Sequence, residues 1–346
     1  MKITQLTFTR FVAALSIIVY HFGINLFPFN SEYLSFLVKQ ANIGVSYFYV
    51  LSGFVMIIAY SGKGDINFGL YIKNRIARIL PVYYLAMVLI IWYMITYSKD
   101  FLFTDVILHI FALQAWVPGS ALSINYPGWS ISVEMFFYLS FPFLFNKIYK
   151  FIDYKKLLIV SILFWVITQI IFNYFAKSEL NPGFGSKFFD LMYYFPLMHV
   201  NQFILGNVTG LIYLKYFKDT KTNNDWQIIM FLVLCTFAFG FNTFFNPHNG
   251  LYSLMFIPFI LMLSTNNGWV SRIFSNKTLE YAGEISFGFY ILQVPIYKWT
   301  VIYLLRYNLN NEYILFLVPL LVLLLVSILS FKLFETPLRN KIKKTS

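Results

Sequence analysis

Long apolar runs follow one another along the whole chain and are separated by short polar segments. A helix that crosses a bilayer needs about 17–25 predominantly apolar residues, and ten of the runs reach that length. The predicted spans are residues 8–28, 43–61, 80–97, 129–147, 156–175, 194–214, 227–245, 251–267, 284–305 and 313–334. The pattern therefore predicts an all-α, polytopic membrane protein with a single transmembrane domain over residues 1–346.

One further apolar segment, residues 104–118, is too short for a crossing. It also carries Asp105, His109 and Gln114, which are costly to place in lipid. A re-entrant or interfacial helix is therefore expected there.

The composition agrees with a membrane location. Hydrophobic residues make up 59% of the chain and charged residues only 12%, whereas soluble domains contain about 25% charged residues. With a cytoplasmic N-terminus, most of the 26 Lys and Arg residues fall in or beside cytoplasmic segments. Both termini are therefore predicted to be cytoplasmic. Basic segments beside anionic lipid headgroups explain the net charge of +12, so the expected partner is the bilayer and no nucleic acid.

Cysteine and histidine usage predicts no metal site. The single cysteine, Cys235, lies inside a predicted span, which excludes a disulfide framework within the chain. The four histidines have no ligand-like spacing with carboxylates. His199 opens a predicted span and could border an outer vestibule, whereas His248 is predicted to be solvated in an outer loop.

Two ionisable residues, Arg10 and His21, lie eleven positions apart in the first span. Eleven residues make about three helical turns, so both side chains share one helix face, roughly 16 Å apart along the axis. Arg10 is then near one membrane surface and His21 near the middle. An ionisable group at that depth costs on the order of 2–4 kcal/mol, so a functional site is the first hypothesis.

The segment YIKNRIARILPVYY, predicted as a cytoplasmic loop, places Arg75 and Arg78 on one face. Pro81 is predicted to open the next span, where its missing N–H costs little. The planar guanidinium group suits bidentate binding of phosphate. The alternative is a topology signal alone, because the positive-inside rule also explains basic residues at this place.

The segment GWSISVEMFFYL carries a carboxylate into the membrane. Ser130, Glu134 and Tyr138 recur at intervals of four residues and form one polar stripe on the helix. Glu134 lies five residues beyond Trp129, which is predicted to anchor the helix at the outer interface. A carboxylate there must be protonated, paired or facing water, which favours a function. A hydrogen bond that only packs helices together is the alternative.

The ninth predicted span begins GEISFGFYILQVPIY. Ser286, Tyr290 and Gln293 share one face, and Pro295 predicts a kink. These residues could line a site, or they could serve only as interhelical hydrogen bonds. At the end of the tenth span, Glu335 is expected to pair with nearby basic segments rather than to take part in chemistry.

Taken together, these motifs resemble the acyltransferase 3 family of multi-span membrane proteins, from about residue 4 to residue 340. The matching pieces are Arg10 and His21 separated by ten residues, GVSYFYVLSGF at 44–54, RIARILP at 75–81, WSISVEMFFYLSFP at 129–142, SFGFYILQVP at 286–295 and FETPLR at 334–339. Each piece alone is a weak pattern, but six in this order are specific.

The resemblance implies transfer of an acyl group, most often acetyl, from cytoplasmic acyl-CoA to a carbohydrate hydroxyl on the outer side. Typical acceptors are lipopolysaccharide O-antigen, other surface polysaccharides and peptidoglycan. It implies that His21 is catalytic, that Arg10 is its partner in the motif, and that Arg75 and Arg78 engage the coenzyme. Arg10 is expected to join these two arginines in binding the phosphates of the acyl-CoA. Glu134 matches the carboxylate of the family's tryptophan–serine motif, with Trp129, Ser130, Tyr290 and Gln293 as further site-lining candidates.

The same resemblance implies a multi-pass protein of a bacterial plasma membrane, with acetyl-CoA as a donor substrate and no permanently bound cofactor. The chain departs from the family in two places: Gln293 stands where many relatives have a histidine, and His199 and Gln202 stand where relatives often have Arg and Glu. An esterase-like extracytoplasmic domain, which some members carry, is expected to be absent.

The residues leave several alternatives open. His21 could act as a general base or as a nucleophile that forms an acyl-imidazole, and Glu134 could orient His21 or bind the acceptor hydroxyl. An exporter of a polysaccharide or lipid-linked sugar would also explain the spans and the intramembrane charges. A purely structural subunit would make Arg10, His21 and Glu134 replaceable.

Overall fold

The computed structural model describes residues 3–241 and 245–344, which form helices joined by short turns. The helices are α1 Gln5–Ile18, α2 Ser35–Val38, α3 Ile43–Tyr60, α4 Phe68–Thr96, α5 Phe103–Ile110, α6 Trp129–Leu144, α7 Tyr154–Ala176, α8 Lys187–Tyr193, α9 Val200–Ile212, α10 Asp225–Phe241, α11 Ser253–Thr265, α12 Trp269–Phe274, α13 Lys277–Ile291, α14 Gln293–Arg306, α15 Glu312–Ser330 and α16 Thr336–Lys344. The predicted all-helical class is confirmed for these residues.

Six helical stretches of the described residues are long and apolar enough to cross a membrane. They are Gln5–Gly23, Ile43–Tyr60, Phe68–Thr96, Tyr126–Tyr149, Tyr154–Ala176 and Glu312–Lys344. Two shorter apolar helices, Asp225–Gly240 and Ser253–Thr265, fall in the predicted spans 227–245 and 251–267, and residues 242–244 of the former lie outside the described part of the chain. The count of ten spans and the cytoplasmic placement of both termini remain predictions.

The predicted span 284–305 is divided in the structure. Helix α13 ends at Ile291 and α14 begins at Gln293, with Leu292 between them. Pro295 explains the division, because it has no N–H to donate to the carbonyl of Ile291, four residues earlier. A polar site is thereby opened in the middle of an apolar region.

The prediction that Arg75 and Arg78 lie in a loop before a span opened by Pro81 is wrong, because helix α4 already covers these residues. It begins at Phe68, twelve residues before the predicted span, and the side chain of Asn67 caps it by accepting from the Leu70 N–H at 2.9 Å. Arg75 and Arg78 therefore lie on a helix and not in a loop. Pro81 lies inside this 29-residue helix and does not open it; a helix of this length can lose one backbone hydrogen bond and continue.

Glycines allow the central helices to approach closely. A Cβ on Gly206 of α9 would collide with the carbonyl oxygen of Val50 in α3, and one on Gly283 of α13 would collide with the carbonyl oxygen of Thr7 in α1. Small residues at such crossings are typical of membrane helices. Helix α1, which carries Arg10, packs against α13 at Gly283 and also against α3.

Residues 104–118, predicted to be re-entrant or interfacial, contain a short helix. Helix α5 is eight residues long and exposes Phe103 and Ile107, while Asp105 and His109 are buried against the protein. Its apolar face is therefore the outer one. The chain then returns through turns to Tyr126, which lies against the ring of His21.

Candidate functional site

A basic cavity of about 540 Å³ opens between α1, α3, α4, α13 and α16. It brings together the three predicted coenzyme-binding residues, Arg10, Arg75 and Arg78. It also contains two basic residues that the sequence analysis did not assign to a site, Arg339 and Lys343 of α16. Both are distant in sequence from α4 and reach the cavity because α16 packs against α4.

The three arginines carry unused hydrogen-bonding capacity into this cavity. The Nε atoms of Arg10 and Arg75 are buried without a hydrogen-bond partner, and none of the three guanidinium groups forms an ion pair with a described residue. Arg75 hydrogen-bonds to Tyr60 and lies 5.7 Å from the centre of the Tyr138 ring. An enclosed cluster of guanidinium groups that forms no ion pair with a described residue is costly by itself, so the cavity is suited to an anionic ligand.

Two carboxylates also line the cavity, Glu284 and Glu335. The expectation that Glu335 pairs with nearby basic residues is wrong: it accepts a hydrogen bond from Ser330 Oγ at 3.1 Å and forms no ion pair within the described residues. The guanidinium group of Arg339 lies over the ring of Phe331 instead, 5.9 Å from its centre. Arg339 therefore keeps its charge available to the cavity.

A second, much smaller cavity of about 30 Å³ continues from the first. Arg10, Ser286 and Phe287 line both, and the smaller one ends at Ser130 and Tyr290. Its volume is about that of one water molecule. The smaller cavity thus leads from Arg10 to a space between α3, α6 and α13.

Glu134 lines the smaller cavity and is held by two hydroxyl groups. Its Oε1 atom accepts from Tyr138 Oη and from Ser52 Oγ, the latter at 3.4 Å. Its hydrogen bonds therefore go along the polar stripe of α6 and to α3, and not to His21. Because Tyr138 also lies beside Arg75, Glu134 is connected to the basic cavity through that phenol.

Beyond the small cavity, three polar side chains lead to His21. Ser130 Oγ and Tyr290 Oη are 3.0 Å apart, and Tyr290 Oη donates to the carbonyl of Pro127 at 3.2 Å. Gln293 Nε2 donates to the carbonyl of Tyr290 at 2.7 Å, and Gln293 Oε1 lies 2.8 Å from His21 Nδ1. The predicted polar face of Ser286, Tyr290 and Gln293 thus reaches the histidine through Gln293, the first residue of α14.

His21 has one ring nitrogen engaged and the other free. It lies in the π-turn Val19–Gly23 that continues α1, an irregularity frequent at functional sites. The ring of Tyr126 meets it edge-on, with 4.9 Å between ring centres. The Nε2 atom makes no hydrogen bond to a described residue and is not enclosed. An accessible imidazole nitrogen is what a general base or nucleophile requires.

Trp129 lies apart from these residues, in an aromatic cluster. The centre of its ring is 5.0 Å from that of Tyr194, 5.2 Å from that of His199 and 5.7 Å from that of His248. The prediction of a solvated His248 is wrong, since this side chain is half-buried and its Nε2 donates to the Tyr193 carbonyl at 2.7 Å. Burial lowers the pKa of His248 to about 4, against the opposing effect of that hydrogen bond.

The remaining histidines have no free nitrogen at the surface of a cavity. His199 donates through Nε2 to the Tyr193 carbonyl at 3.0 Å and accepts at Nδ1 from Gln202 Nε2 at 3.0 Å. His109 is fully buried, with Nδ1 bonded to the Asp105 carbonyl at 2.8 Å and Nε2 enclosed without a partner. Within residues 3–241 and 245–344, no cluster of His, Cys, Asp and Glu has the arrangement of a metal site.

Comparison with known proteins identifies relatives over nearly the whole chain. The model of a family described as an acyltransferase domain matches residues 3–332. The peptidoglycan O-acetyltransferase OatA of Listeria monocytogenes is 22% identical over 96% of this chain and 55% of its own length. The acyltransferase MdmB of Streptomyces mycarofaciens is 22% identical over 86% of this chain and 80% of its own length. The chain thus spans about half the length of OatA, and no solved structure gives a significant match.

Proposed function

The chain belongs to the acyltransferase family whose domain model matches residues 3–332, and on this premise we propose that it is an O-acyltransferase of a bacterial cell membrane. It transfers an acyl group from cytoplasmic acyl-CoA to a hydroxyl of a surface carbohydrate, and acetyl is the acyl group proposed first. The observation that carries the proposal is the chain of hydrogen-bonded side chains, Ser130, Tyr290 and Gln293, that connects the smaller cavity beside the basic one to His21, whose Nε2 is free.

The basic cavity is the proposed donor site. The phosphates of a coenzyme would pair with Arg10, Arg75 and Arg78, which form no ion pair with a described residue, because guanidinium groups bind phosphate through paired N–H groups. Arg339 and Lys343 extend the same positive surface. Coenzyme A is the fitting carrier because its thioester lies at the far end of a long, thin arm, away from the phosphates.

The arm would follow α1 toward His21. Arg10 and His21 are about three helical turns apart, roughly 16 Å along the axis. The small cavity, of about 30 Å³, is too narrow for this arm as it stands. The Ser130–Tyr290 hydrogen bond at its end therefore has to open during the reaction.

His21 Nε2 is the proposed reacting nitrogen. In direct transfer it accepts the proton of the carbohydrate hydroxyl while that oxygen attacks the thioester carbonyl; the C–S bond then breaks and the thiolate leaves, to be protonated by the imidazolium. In the two-step alternative Nε2 attacks the thioester carbonyl and the C–S bond breaks, which gives an N-acyl imidazolium and the thiolate. The hydroxyl then attacks the acyl carbon, the C–N bond to Nε2 breaks, and the hydroxyl proton passes to the thiolate. Both routes return His21 to its neutral form and release the ester and the free thiol.

The acceptor is proposed from the relatives. OatA is named a peptidoglycan O-acetyltransferase, so peptidoglycan and other surface polysaccharides are the first acceptors to examine. Glu134 is proposed to support the donor path through Tyr138 and Ser52 rather than to orient the histidine.

The first test measures O-acetyl esters on the surface polysaccharides of cells that produce the wild-type chain, the His21→Ala variant or no protein, with membrane levels matched by immunoblot. We expect esters with the wild type only. Esters that persist with His21→Ala would remove His21 from catalysis. Unchanged esters with altered polysaccharide export would replace the transferase by the exporter.

Donor binding is tested with purified protein. Acetyl-CoA should raise the unfolding temperature of the wild type, since a ligand that binds only the folded state stabilises it. The double variant Arg75→Ala, Arg78→Ala should lose this shift, whereas Lys73→Ala, a basic residue of the same helix that does not line the cavity, should keep it. A shift that survives the double variant would place the donor elsewhere.

A further inference from the structure

Gln293 is a fully buried side chain with two hydrogen bonds of fixed direction. The carbonyl of Tyr290 can only accept, so the Gln293 atom 2.7 Å from it must be the NH₂ group. The other amide atom, facing His21 at 2.8 Å, is then the oxygen. Because this oxygen can only accept, His21 Nδ1 must carry the hydrogen, and Nε2 must have the free lone pair.

The backbone around Gln293 makes this orientation rigid. The carbonyl of Ile291 has no helical donor because Pro295 lacks an N–H, and it accepts instead from Asn125 Nδ2 at 3.1 Å. Asn125 immediately precedes Tyr126, whose ring packs against His21. The break between α13 and α14 and the ring beside the imidazole are thus held by one hydrogen bond.

Among the residues that the structure describes, no charged side chain forms a hydrogen bond or ring contact with the imidazole. Its contacts are Tyr20 and Phe22 of its own helical segment, Tyr126, and Gln293. A histidine or carboxylate in the position of Gln293 could exchange a proton with His21, but a carboxamide cannot. Every proton that the histidine transfers must therefore pass through Nε2.

We propose that Gln293 is the positioning residue of the reaction: its carboxamide holds His21 as the Nδ1–H tautomer with Nε2 free, and it does so without taking up a proton itself. This inference rests on the proposed function for its catalytic consequence. The tautomer and its cause stand on the hydrogen bonds alone, so they can be tested separately from activity.

The activity test compares Gln293→Met with Gln293→Glu in purified full-length protein. Methionine keeps the length of the side chain but cannot accept, so kcat should fall by about 10- to 100-fold with the KM for acetyl-CoA changed less than about twofold. Glutamate restores an acceptor, so most of the rate should return at high pH. Its charge stabilises the imidazolium, so the acid limb of the pH–rate profile should move to higher pH.

The matched control is Gln202→Met. Gln202 is equally buried and also bonds to a histidine, His199, so its replacement reports the general cost of losing such a pair. It should lower the unfolding temperature and leave kcat within about twofold. A Gln293→Met variant with the same kcat as Gln202→Met would overturn the positioning role.

A chemical readout works even if no transfer is detected. Diethyl pyrocarbonate modifies an unprotonated imidazole nitrogen, and peptide mass spectrometry can follow His21, His109 and His199 separately. His21 should react fastest, and the pH midpoint of its modification should rise in Gln293→Glu. An unchanged midpoint would refute the contact between these side chains; a raised midpoint in a protein without transferase activity would refute the proposed function and keep the tautomer.

Discussion

The described residues contain two histidine–glutamine pairs that use opposite hydrogen-bond directions. In the first pair, His21 Nδ1 donates to Gln293 Oε1, and the imidazole Nε2 is left free. In the second pair, Gln202 Nε2 donates to His199 Nδ1, and Nε2 of that histidine is used on the Tyr193 carbonyl. The residue types are the same in the two pairs, but only one of them leaves a nitrogen for chemistry.

The surroundings of the two pairs differ in the same sense. His199 is 1% exposed and lies among Trp129, Tyr49 and His248. His21 is only half-buried and is connected to the smaller cavity through Gln293 and Tyr290. The comparison teaches that the function of a buried histidine is decided by what its second nitrogen contacts, which burial alone does not reveal.

The largest expected effect comes from replacing each histidine in turn. His21→Asn should lower kcat by about 10²- to 10⁴-fold, the range that a general base contributes, with little change in unfolding temperature. His199→Asn should keep kcat within about threefold but lower the unfolding temperature, because it breaks two buried hydrogen bonds. Steady-state transfer of acetyl groups and thermal unfolding of the same preparations provide both numbers.

A His199 variant that folds, retains its unfolding temperature and yet loses activity as strongly as the His21 variant would break the comparison. The aromatic cluster would then belong to the active site. The Trp129→Phe variant is the control, since it alters the ring that faces His199 without touching either histidine–glutamine hydrogen bond.

The next largest effect concerns the cations, which accompany only the His21 pair. Arg75→Gln and Arg78→Gln should each raise the KM for acetyl-CoA about 10-fold or more, since a hydrogen bond to a charged group contributes about 1.5–3 kcal/mol. Lys73→Gln should leave KM unchanged, because Lys73 does not line the cavity. Equal effects of all three variants would indicate a general effect of surface charge, and high salt would then remove the difference from the wild type.

The sequence allowed the components of the site to be predicted better than their connections. Arg10 and His21 share a helix, so helical periodicity was sufficient to place them on one face, and the stripe of Ser130, Glu134 and Tyr138 has the same local origin. The Tyr138–Glu134 hydrogen bond is such an i, i+4 contact. These predictions needed no tertiary information.

The pairing of His21 with Gln293 joins residues 272 positions apart and depends on how the π-turn after α1 packs against the start of α14. Tyr126 reaches His21 from an interfacial segment that has no periodic signal. The prediction that Pro81 opens a helix was wrong for a related reason. Local rules favour proline at a helix start, but α4 begins at Phe68, so that Arg75 and Arg78 lie on the same helix as Pro81. Long-range packing decided each of these features.

A smaller effect is expected from the closed end of the smaller cavity. Tyr290→Phe and Ser130→Ala each remove the Ser130–Tyr290 hydrogen bond, and a net gain of about 0.5–1.5 kcal/mol from such a bond corresponds to roughly two- to tenfold in an opening equilibrium. Each variant should therefore speed association of acetyl-CoA, measured by stopped-flow, by a few-fold. The double variant should be no faster than the singles, because the same bond is lost.

Additive effects in that double variant would mean that the two hydroxyls act independently. In that case Tyr290 would control access through its bond to the Pro127 carbonyl, which Ser130→Ala leaves in place. The comparison of single and double variants therefore shows whether acetyl-CoA reaches the His21 pair after one hydrogen bond opens or after two.

The smallest expected effect is on stability and belongs to the His199 side of the comparison. Burial lowers the pKa of His248 to about 4, below the value of about 6.5 of an exposed histidine. Between these values the unfolded chain binds more protons than the folded one, so stability is constant above about pH 6.5 and falls as the pH decreases toward 4.

His248→Gln keeps a donor for the Tyr193 carbonyl but does not titrate. From pH 7 to pH 5 the wild type should lose about 2–4 °C more in unfolding temperature than this variant, as followed by tryptophan fluorescence. Equal losses would mean that the pocket admits a proton at His248 without cost, and the aromatic cluster would then be as accessible as the surroundings of His21.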